Sequence, residues 1–436
     1  MRSCRGRPPA QCGFADETIR PRCSPFRGLA RRTDQRLCSV DACRPGLEPS
    51  KSTDPGVSAR VTGVCRIAII GTGALGACVG YYLAREGADV LLLDAAGPGA
   101  LTTSASLAWV NASSKADHPA YFDLNFAGLR EYECLAAEFA DAAWWNQTGH
   151  LRWDYRDERE LRAVVEKLRA SGYPAEVWEV ERARRLLEPH VVFSSAPGVV
   201  ALFPSEGWVD GPRMVHALVD AAVRNGATTA FGSAVRTITV TNRAVASVEL
   251  DNGEAYAVDG VVNAAGPAAP AVAALVGRDL TMRDSPGLAV RVETRRDWVG
   301  RVIHAPGMAI RPDGPGRAFL LARCAEPALR ETGHASSQVI DQVGQLAARV
   351  VPELAGAAVA DVRVGHRPMP LDGLPMIGKA TDIDGYYEAA MHSGITLGPI
   401  AARALTAEIL HGRIDPLVSS LRASRLPSVL PSTVQH

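Results

Sequence analysis

The sequence predicts an α/β protein built on a dinucleotide-binding turn, and three local observations predict it. The run Arg66-Ile67-Ala68-Ile69-Ile70 leads into GTGALG at Gly71 to Gly76, Ala77 to Arg85 continues at helical spacing, and Val90 to Leu93 ends in Asp94. A short apolar run of β-branched character suits a buried parallel strand, so the glycines fall in a strand-to-helix turn. A second glycine-rich segment near the other end of the chain, MHSGITLGP at Met391 to Pro399, opens another helical pattern. A ligand held from both ends of the chain is long.

The first turn has a specific physical reading. Gly71 permits the tight turn, Gly73 lets backbone approach a pyrophosphate, and Gly76 lets helix and strand pack closely. The helix start at Ala74 and Leu75 then faces the phosphates. Asp94, about 20 residues on, can accept hydrogen bonds from both ribose hydroxyls, and a carboxylate there argues against a 2′-phosphate. Glycines alone mark many ordinary turns, and Asp94 alone could be a solvated strand end. Strand, helix and acid together carry the dinucleotide reading.

The rest of the chain sets the frame. Its 436 residues are enough for about two domains with a sizeable core. The 47 basic and 47 acidic residues balance, so no general attraction to nucleic acid or an anionic membrane is expected. No uninterrupted apolar stretch is long enough to span a bilayer. Residues 1–60 hold Cys4, Cys12, Cys23, Cys38 and Cys43 among scattered Arg, Pro and Ser, without sustained period. A disordered tail is expected there, and a start site assigned too far upstream would account for it. Arg31-Arg32 has no apolar stretch behind it, so neither a twin-arginine nor an ordinary secretory signal is expected. The cysteines lack a CxxC pair and a matching histidine cluster, so no metal is expected. Cys65, Cys78, Cys134 and Cys324 are dispersed as reduced thiols of a cytoplasmic protein would be.

After Asp94 the elements follow in order. Thr102 to Lys115 is rich in Ser, Ala and Asn; His118 to Trp144 reads as helix and Gly149 to Trp153 as strand. Glu158 to Ala170, Val180 to Leu187 and Pro212 to Asn225 read as helices. Ser233 to Val240 and Ala244 to Leu250 read as strands, with Asp251-Asn252-Gly253 a hairpin signal. Gly260 to Pro267, GVVNAAGP, is a strand ending on small residues that let backbone approach a ligand closely, or a tightly packed crossover into a helix at Ala268 to Leu275. Leu288 to Glu293 and Met308 to Leu321 read as strands, the latter broken at Arg311-Pro312-Asp313-Gly314. A helix over Gln338 to Val351, a strand at Asp361 to Gly365, a strand at Tyr386 to Met391 and a helix over Ile395 to His411 complete the chain.

GTGALG with Asp94, the TTSASLAW segment, VVNAAGP, RPMPLDGLPMIG and HSGITLGP occur in the order of the flavin-dependent D-amino-acid oxidase superfamily, which this chain resembles over about residues 64–412. The resemblance implies an FAD domain of the glutathione-reductase type, a Rossmann-like α/β unit assembled from residues 61–115, 205–285 and 361–436. It implies a second, antiparallel-sheet α+β substrate domain from residues 116–204 and 286–360. Gly71, Gly73, Ala74, Leu75 and Gly76 would hold the FAD pyrophosphate and Asp94 the adenosine ribose. Ser104, Ala105 and Ser106 would pass beside the phosphates and ring, Val235 would meet the adenine through its backbone, and Ala264, Ala265 and Gly266 would close over the nucleotide. Gly394, Ile395 and Thr396 would aim a helix N-terminus at the flavin, where partial positive charge favours the reduced state.

For the substrate, the RP motif of glycine oxidase is similar to Arg367-Pro368, making Arg367 the carboxylate anchor or else a structural ion pair. His392 matches a further arginine of glycine oxidase and would bind polar groups or simply bond to backbone. Arg311 and Trp109 are weaker candidates for the pocket lining. Residues 367–372 have no cysteine where sarcosine oxidase attaches its flavin, so noncovalent FAD is expected. Pro370 stands where D-amino-acid oxidase has its carboxylate-binding arginine. The implied reaction is oxidation of the C–N bond of a small amino acid or N-alkyl amino acid, with hydride passing to FAD and the imine hydrolysing afterwards. O2 or an electron-transfer protein would be the acceptor, and oligomeric state stays open. A 2-hydroxy-acid oxidoreductase with His392 as base, an NAD enzyme and a noncatalytic flavin-binding component of a larger complex remain the alternatives.

Overall fold

A computed structural model describes residues 65–425. The expected tail over residues 1–60, its five cysteines and the last residues of the chain lie outside the described residues.

The βαβ unit forms where the glycines place it. Arg66–Ile70 and Asp89–Asp94 are strands joined by the helix Ala74–Arg85. They sit centrally in a six-stranded sheet whose order is Met376–Lys379, Tyr386–Ala390, Gly260–Asn263, Arg66–Ile70, Asp89–Asp94, Thr228–Phe231. All neighbours pair parallel except the first two. Both faces are covered, as a parallel sheet requires. One side packs on helices Ala74–Arg85, Gly211–Arg224 and Gly394–His411, and the other on the three-stranded sheet Val235–Thr241, Ala244–Leu250 and Ala255–Ala257.

An eight-stranded sheet makes the second layer, in the order Val359–His366, Pro286–Glu293, Arg317–Ala322, Met308–Pro312, Val302–Ala305, His150–Arg152, Val199–Phe203, Glu176–Glu179. It is antiparallel apart from the pairing of Val302–Ala305 with His150–Arg152. Helix Ser337–Val350 buries Val343, Ala347 and Val350 against one face of it.

Helix ends follow their caps. Asp157, Asp210 and Ser336 each accept a hydrogen bond from a first-turn N–H, fixing the starts of helices Glu158–Ala170, Gly211–Arg224 and Ser337–Val350. The helix expected over His118 to Trp144 is shorter, Pro119–Ala137. Asp141 accepts from the N–H of Ala143 and turns the chain there.

Helix Pro119–Ala137 meets both cores, its Phe122 packing with Val199, Ala201 and Phe203 of the antiparallel sheet. Tyr121, Leu124, Leu129 and Tyr132 of the same helix join the core of the parallel sheet. The strand Val359–His366 is an edge of the antiparallel sheet. Cys65, Cys78 and Cys324 are free thiols.

Candidate functional site

Two clefts meet where the carboxyl ends of the parallel strands face the antiparallel sheet. The first runs from Gly71 and Asp94 past Ala264 to Gly394. The second, the roomier of the two, runs under the antiparallel sheet from Trp109 and Lys115 to His304, Arg323 and Arg367. Thr102, Ser106, Pro368, His392 and Ile395 line both.

The first cleft is built as a backbone cradle. Gly71 has φ +96°, and a Cβ there would lie 2.5 Å from the Ala264 carbonyl oxygen and 2.7 Å from Ala265 Cα. Gly71, Gly73, Ala74 and Leu75 line the cleft, while Gly76 lies behind them. A Cβ on Gly76 would strike the Gly71 carbonyl, so Gly76 serves the helix-to-turn packing. The helix Ala74–Arg85 starts without a side-chain cap. Thr103 Oγ1 accepts from the Ala74 N–H at 3.0 Å, leaving the other first-turn N–H groups for an anionic ligand. Asn263 Nδ2 ties the neighbouring strand end to the Ala269 carbonyl at 2.9 Å, the Tyr386 hydroxyl at 3.1 Å and Glu388 Oε2 at 3.0 Å. That places Ala264, Ala265 and Gly266 on the cleft wall. This uncapped, glycine-lined floor fits the diphosphate of FAD.

Asp94 lines the cleft, but its carboxylate is already engaged. It accepts from Thr72 N at 2.7 Å, Thr72 Oγ1 at 3.0 Å, Ala96 N at 2.9 Å and Gly97 N at 2.8 Å. Two carboxylate oxygens offer about four acceptor sites. A ribose hydroxyl there must share an oxygen with these donors or displace the Thr72 hydroxyl.

Three expectations need adjustment. Ser104 turns inward, its hydroxyl donating to the Ala100 and Leu101 carbonyls at 2.9 and 2.8 Å, and Thr102 and Thr103 take the lining position instead. Val235 lies outside the cleft lining and packs with the cluster that holds Ile70, Leu91 and Leu93. Arg311 is not a pocket residue. It is buried, with Nε donating to the Leu107 carbonyl at 2.7 Å and Nη1 to the Pro312 carbonyl at 2.6 Å and to Asp313 at 2.7 Å. Its guanidinium stacks on Trp208 and Phe319, and burial pushes its pKa down to about 10.

The remaining expected residues converge. Gly394 and Ile395 begin the helix Gly394–His411 at the first cleft, and Ile395 and Thr396 line the second. The Thr396 hydroxyl donates to the Trp109 carbonyl at 3.2 Å and accepts from the Asn111 N–H at 3.3 Å. Ala105, Ser106 and Trp109 line the second cleft. Arg367 does too, but Nη1 is bonded to Glu326 at 3.0 Å and to Ser285 Oγ and the Pro286 carbonyl at 3.2 Å each. Its charge is therefore partly neutralised, while Nε and Nη2 meet no acceptor among the described residues.

His392 lines both clefts and is exposed to solvent there, with protein packed around the rest of its ring. Burial, then the Lys115 and Arg367 cations, lower its pKa to about 4. Its NMR titration should therefore have a midpoint near 4, with the ring neutral throughout the physiological range; a midpoint near the ordinary histidine value of about 6.5 would contradict this.

Three lining residues escape sequence reasoning. Lys115 and Arg323 reach the second cleft and form no ion pair among the described residues. Lys115 Nζ lies only over the Tyr121 ring, 4.9 Å from its centroid, and burial lowers its pKa. The third, His304, is carried by the short strand Val302–Ala305. Of the two acids in the lining, Asp154 is taken up by Arg152 and Glu326 by Arg367. The cleft therefore has uncompensated positive charge and suits a carboxylate.

A family model described as "DAO: FAD dependent oxidoreductase" matches residues 66–408. The chain is 26% identical to an opine oxidase component of Agrobacterium tumefaciens (strain Ach5), over 82% of this chain and 96% of that protein. The crystal structure of glycine oxidase from Geobacillus kaustophilus superposes with a TM-score of 0.74 at 23% identity, covering 84% of this chain and all of that one. Iminodiacetate oxidase from Chelativorans sp. BNC1 superposes with a TM-score of 0.70 at 21% identity, over 82% and 98% of the two chains.

Proposed function

The chain belongs to the DAO family of FAD-dependent oxidoreductases, and from that premise we propose that it oxidises the C–N bond of a small amino acid or N-alkyl amino acid. FAD, bound without a covalent link, supplies the two-electron acceptor. The imine product hydrolyses in water. The observation that carries this reading is the cation-lined second cleft, which shares a wall with the glycine-lined cleft.

Each lining residue has a part. Lys115 and Arg323 attract the substrate carboxylate, and the free edge of Arg367 offers a guanidinium fork to it. Holding the carboxylate orients the adjacent carbon toward the shared wall, which converts an encounter into a positioned reaction. His392, neutral at ordinary pH, offers a polar contact without adding charge. No cysteine lines either cleft among the described residues, which supports noncovalent FAD. Two unpaired cations also suit a second carboxylate, which favours iminodicarboxylates within the N-alkyl class. The names of the opine and iminodiacetate oxidases lend support to that narrower choice.

The test is anaerobic bleaching of the purified flavoprotein with glycine, sarcosine, proline, D-amino acids, iminodiacetate and 2-hydroxy acids, followed by air. Bleaching by an amine is expected, and the rate of reoxidation in air separates an oxidase from a dehydrogenase. Bleaching by 2-hydroxy acids alone would replace the proposal with a hydroxy-acid oxidoreductase. No bleaching by any compound would favour a noncatalytic flavin-binding component of a larger complex. Arg367→Ala should raise the dissociation constant of the bleaching substrate about tenfold, the scale of one hydrogen bond to a charged group. A variant with normal FAD content and unchanged substrate affinity would remove Arg367 as an anchor.

A further inference from the structure

One wall of the second cleft ends in a chain of buried polar groups that the carboxylate-binding cations do not use. Glu206 has no solvent exposure and accepts four hydrogen bonds. They come from Tyr173 Oη at 2.6 Å, Trp109 Nε1 at 2.8 Å, His150 Nδ1 at 2.8 Å and Ser113 N at 3.1 Å. His150 Nε2 in turn lies 2.9 Å from His304 Nδ1. His304 lines the cleft, and its Nε2 has no partner among the described residues. The Trp109 ring packs on both imidazoles, with centroids 4.6 Å from His150 and 4.3 Å from His304.

Donor and acceptor rules fix the protons along this chain. A carboxylate that receives four donors is ionised and has no proton to give, so the His150 proton lies on Nδ1. His150 Nε2 is then a bare acceptor, and the proton between the two rings must belong to His304 Nδ1. That leaves His304 Nε2 as a lone pair at the cleft. Burial pushes the Glu206 carboxyl up, but His150, Tyr173 and Ser113 outweigh it and hold the pKa below the ordinary value. Burial lowers both histidines, His304 strongly, with His150, Arg152 and Arg323 adding to the effect on His304. Both rings are neutral at ordinary pH.

We propose that His304 takes the proton from the substrate's ammonium nitrogen, with His150 and Glu206 as positioning residues that aim its Nε2 lone pair into the cleft. The proposal rests on the amine-oxidising reading above, because an ammonium group has no lone pair to release as its carbon gives up hydride. The substrate N–H bond breaks, an Nε2–H bond forms on His304, and the electron pair of the broken bond stays on the amine nitrogen. The His304 Nδ1 proton can then pass to His150 Nε2, which carries the positive charge to within 2.8 Å of the Glu206 carboxylate.

The charges around His304 act on donor and acceptor alike. Arg152, Asp154 and His150 face His304 from the neighbouring strand and the residues after it, and Arg323 faces it from the far side of the hairpin. Across the cleft stand Lys115, Glu326, Arg367 and His392. Burial and the cations that disfavour an imidazolium in this cleft disfavour the substrate ammonium as well, so both acidities move in the same direction.

The test is anaerobic flavin reduction by a bleaching amine, followed over the pH range in which the substrate ammonium titrates. In His304→Asn the amide can still donate to His150 Nε2 but supplies no base. Reduction at pH 7 should fall about 100-fold, within the usual range for a general base. It should recover with rising pH as free amine replaces ammonium. A variant that matches wild type at pH 7, or that loses the same factor at every pH, overturns the proposal. Nitrogen-15 NMR of histidine-labelled protein decides independently of turnover. Both His150 and His304 should carry their proton on Nδ1, and a proton on His304 Nε2 overturns the assignment. Failure of every amine to bleach the wild type would sink the amine-oxidising reading instead, leaving the chain of tautomers to the NMR result.

Discussion

Gly71→Ala is expected to yield protein that folds poorly or retains no FAD, with the FAD dissociation constant raised at least about 100-fold. Two penalties combine. A side chain at φ +96° occupies a region that L-residues rarely adopt, at a cost of about 1–3 kcal/mol. The added methyl also lies 2.5 Å from the Ala264 carbonyl oxygen. Relieving it moves either the turn that meets the diphosphate or the Ala264–Gly266 segment that closes over it, at a further cost of about 1–3 kcal/mol. Gly87→Ala is the matching control, since Gly87 has φ +85° but no atom of the described residues within 4 Å of its added Cβ and does not line the cleft. It should lower the melting temperature while leaving FAD affinity as in wild type. Equal FAD affinity for Gly71→Ala and wild type, measured by flavin fluorescence, would refute the placement of the cofactor.

Lys115→Met should raise KM about 10- to 100-fold with a much smaller change in kcat. The ammonium of Lys115 is half-buried and has no carboxylate partner among the described residues, so a substrate carboxylate is its best available counter-charge. A hydrogen bond between charged groups in such a site contributes about 1.5–3 kcal/mol. Arg323→Met should do less. Arg323 is exposed at the cleft, where exposed pairs contribute about 0–1 kcal/mol and salt screens them. Its effect should be a few-fold at low salt and vanish at high salt, whereas that of Lys115 should persist. Steady-state kinetics at two ionic strengths checks both. An unchanged KM in Lys115→Met would dismiss it as a carboxylate anchor.

The contrast between the two clefts shows what the sequence can reveal. The first is made of local features: a strand, a glycine turn, a helix and an acid within Arg66 to Asp94, and a helix start at Gly394. Each has a period or a turn residue that betrays it, and the structure places them together. The second is assembled from residues far apart in the chain, on strands too short to show a period. Val302–Ala305, which carries His304, has four residues, and Trp109–Val110 has two. Val199–Phe203 is wholly buried, and its short apolar run has no alternation to mark it as a strand. Arg311 illustrates the opposite error. Beside a proline and an aspartate in a turn it looks like a candidate ligand, but tertiary packing between Trp208 and Phe319 consumes it. Lys115 could have been suspected as the cation closing a polar segment, whereas nothing local distinguishes Arg323 from other arginines.

The five residues common to both clefts make the wall between them a thermodynamic link. Whatever occupies one side changes the surface offered to the other, and Thr396 ties the helix start at the first cleft to the Trp109 strand at the second. Linkage then requires reciprocity: the factor by which a carboxylate ligand tightens FAD retention equals the factor by which FAD tightens that ligand. Apoprotein and holoprotein are therefore different receptors for the same small molecule.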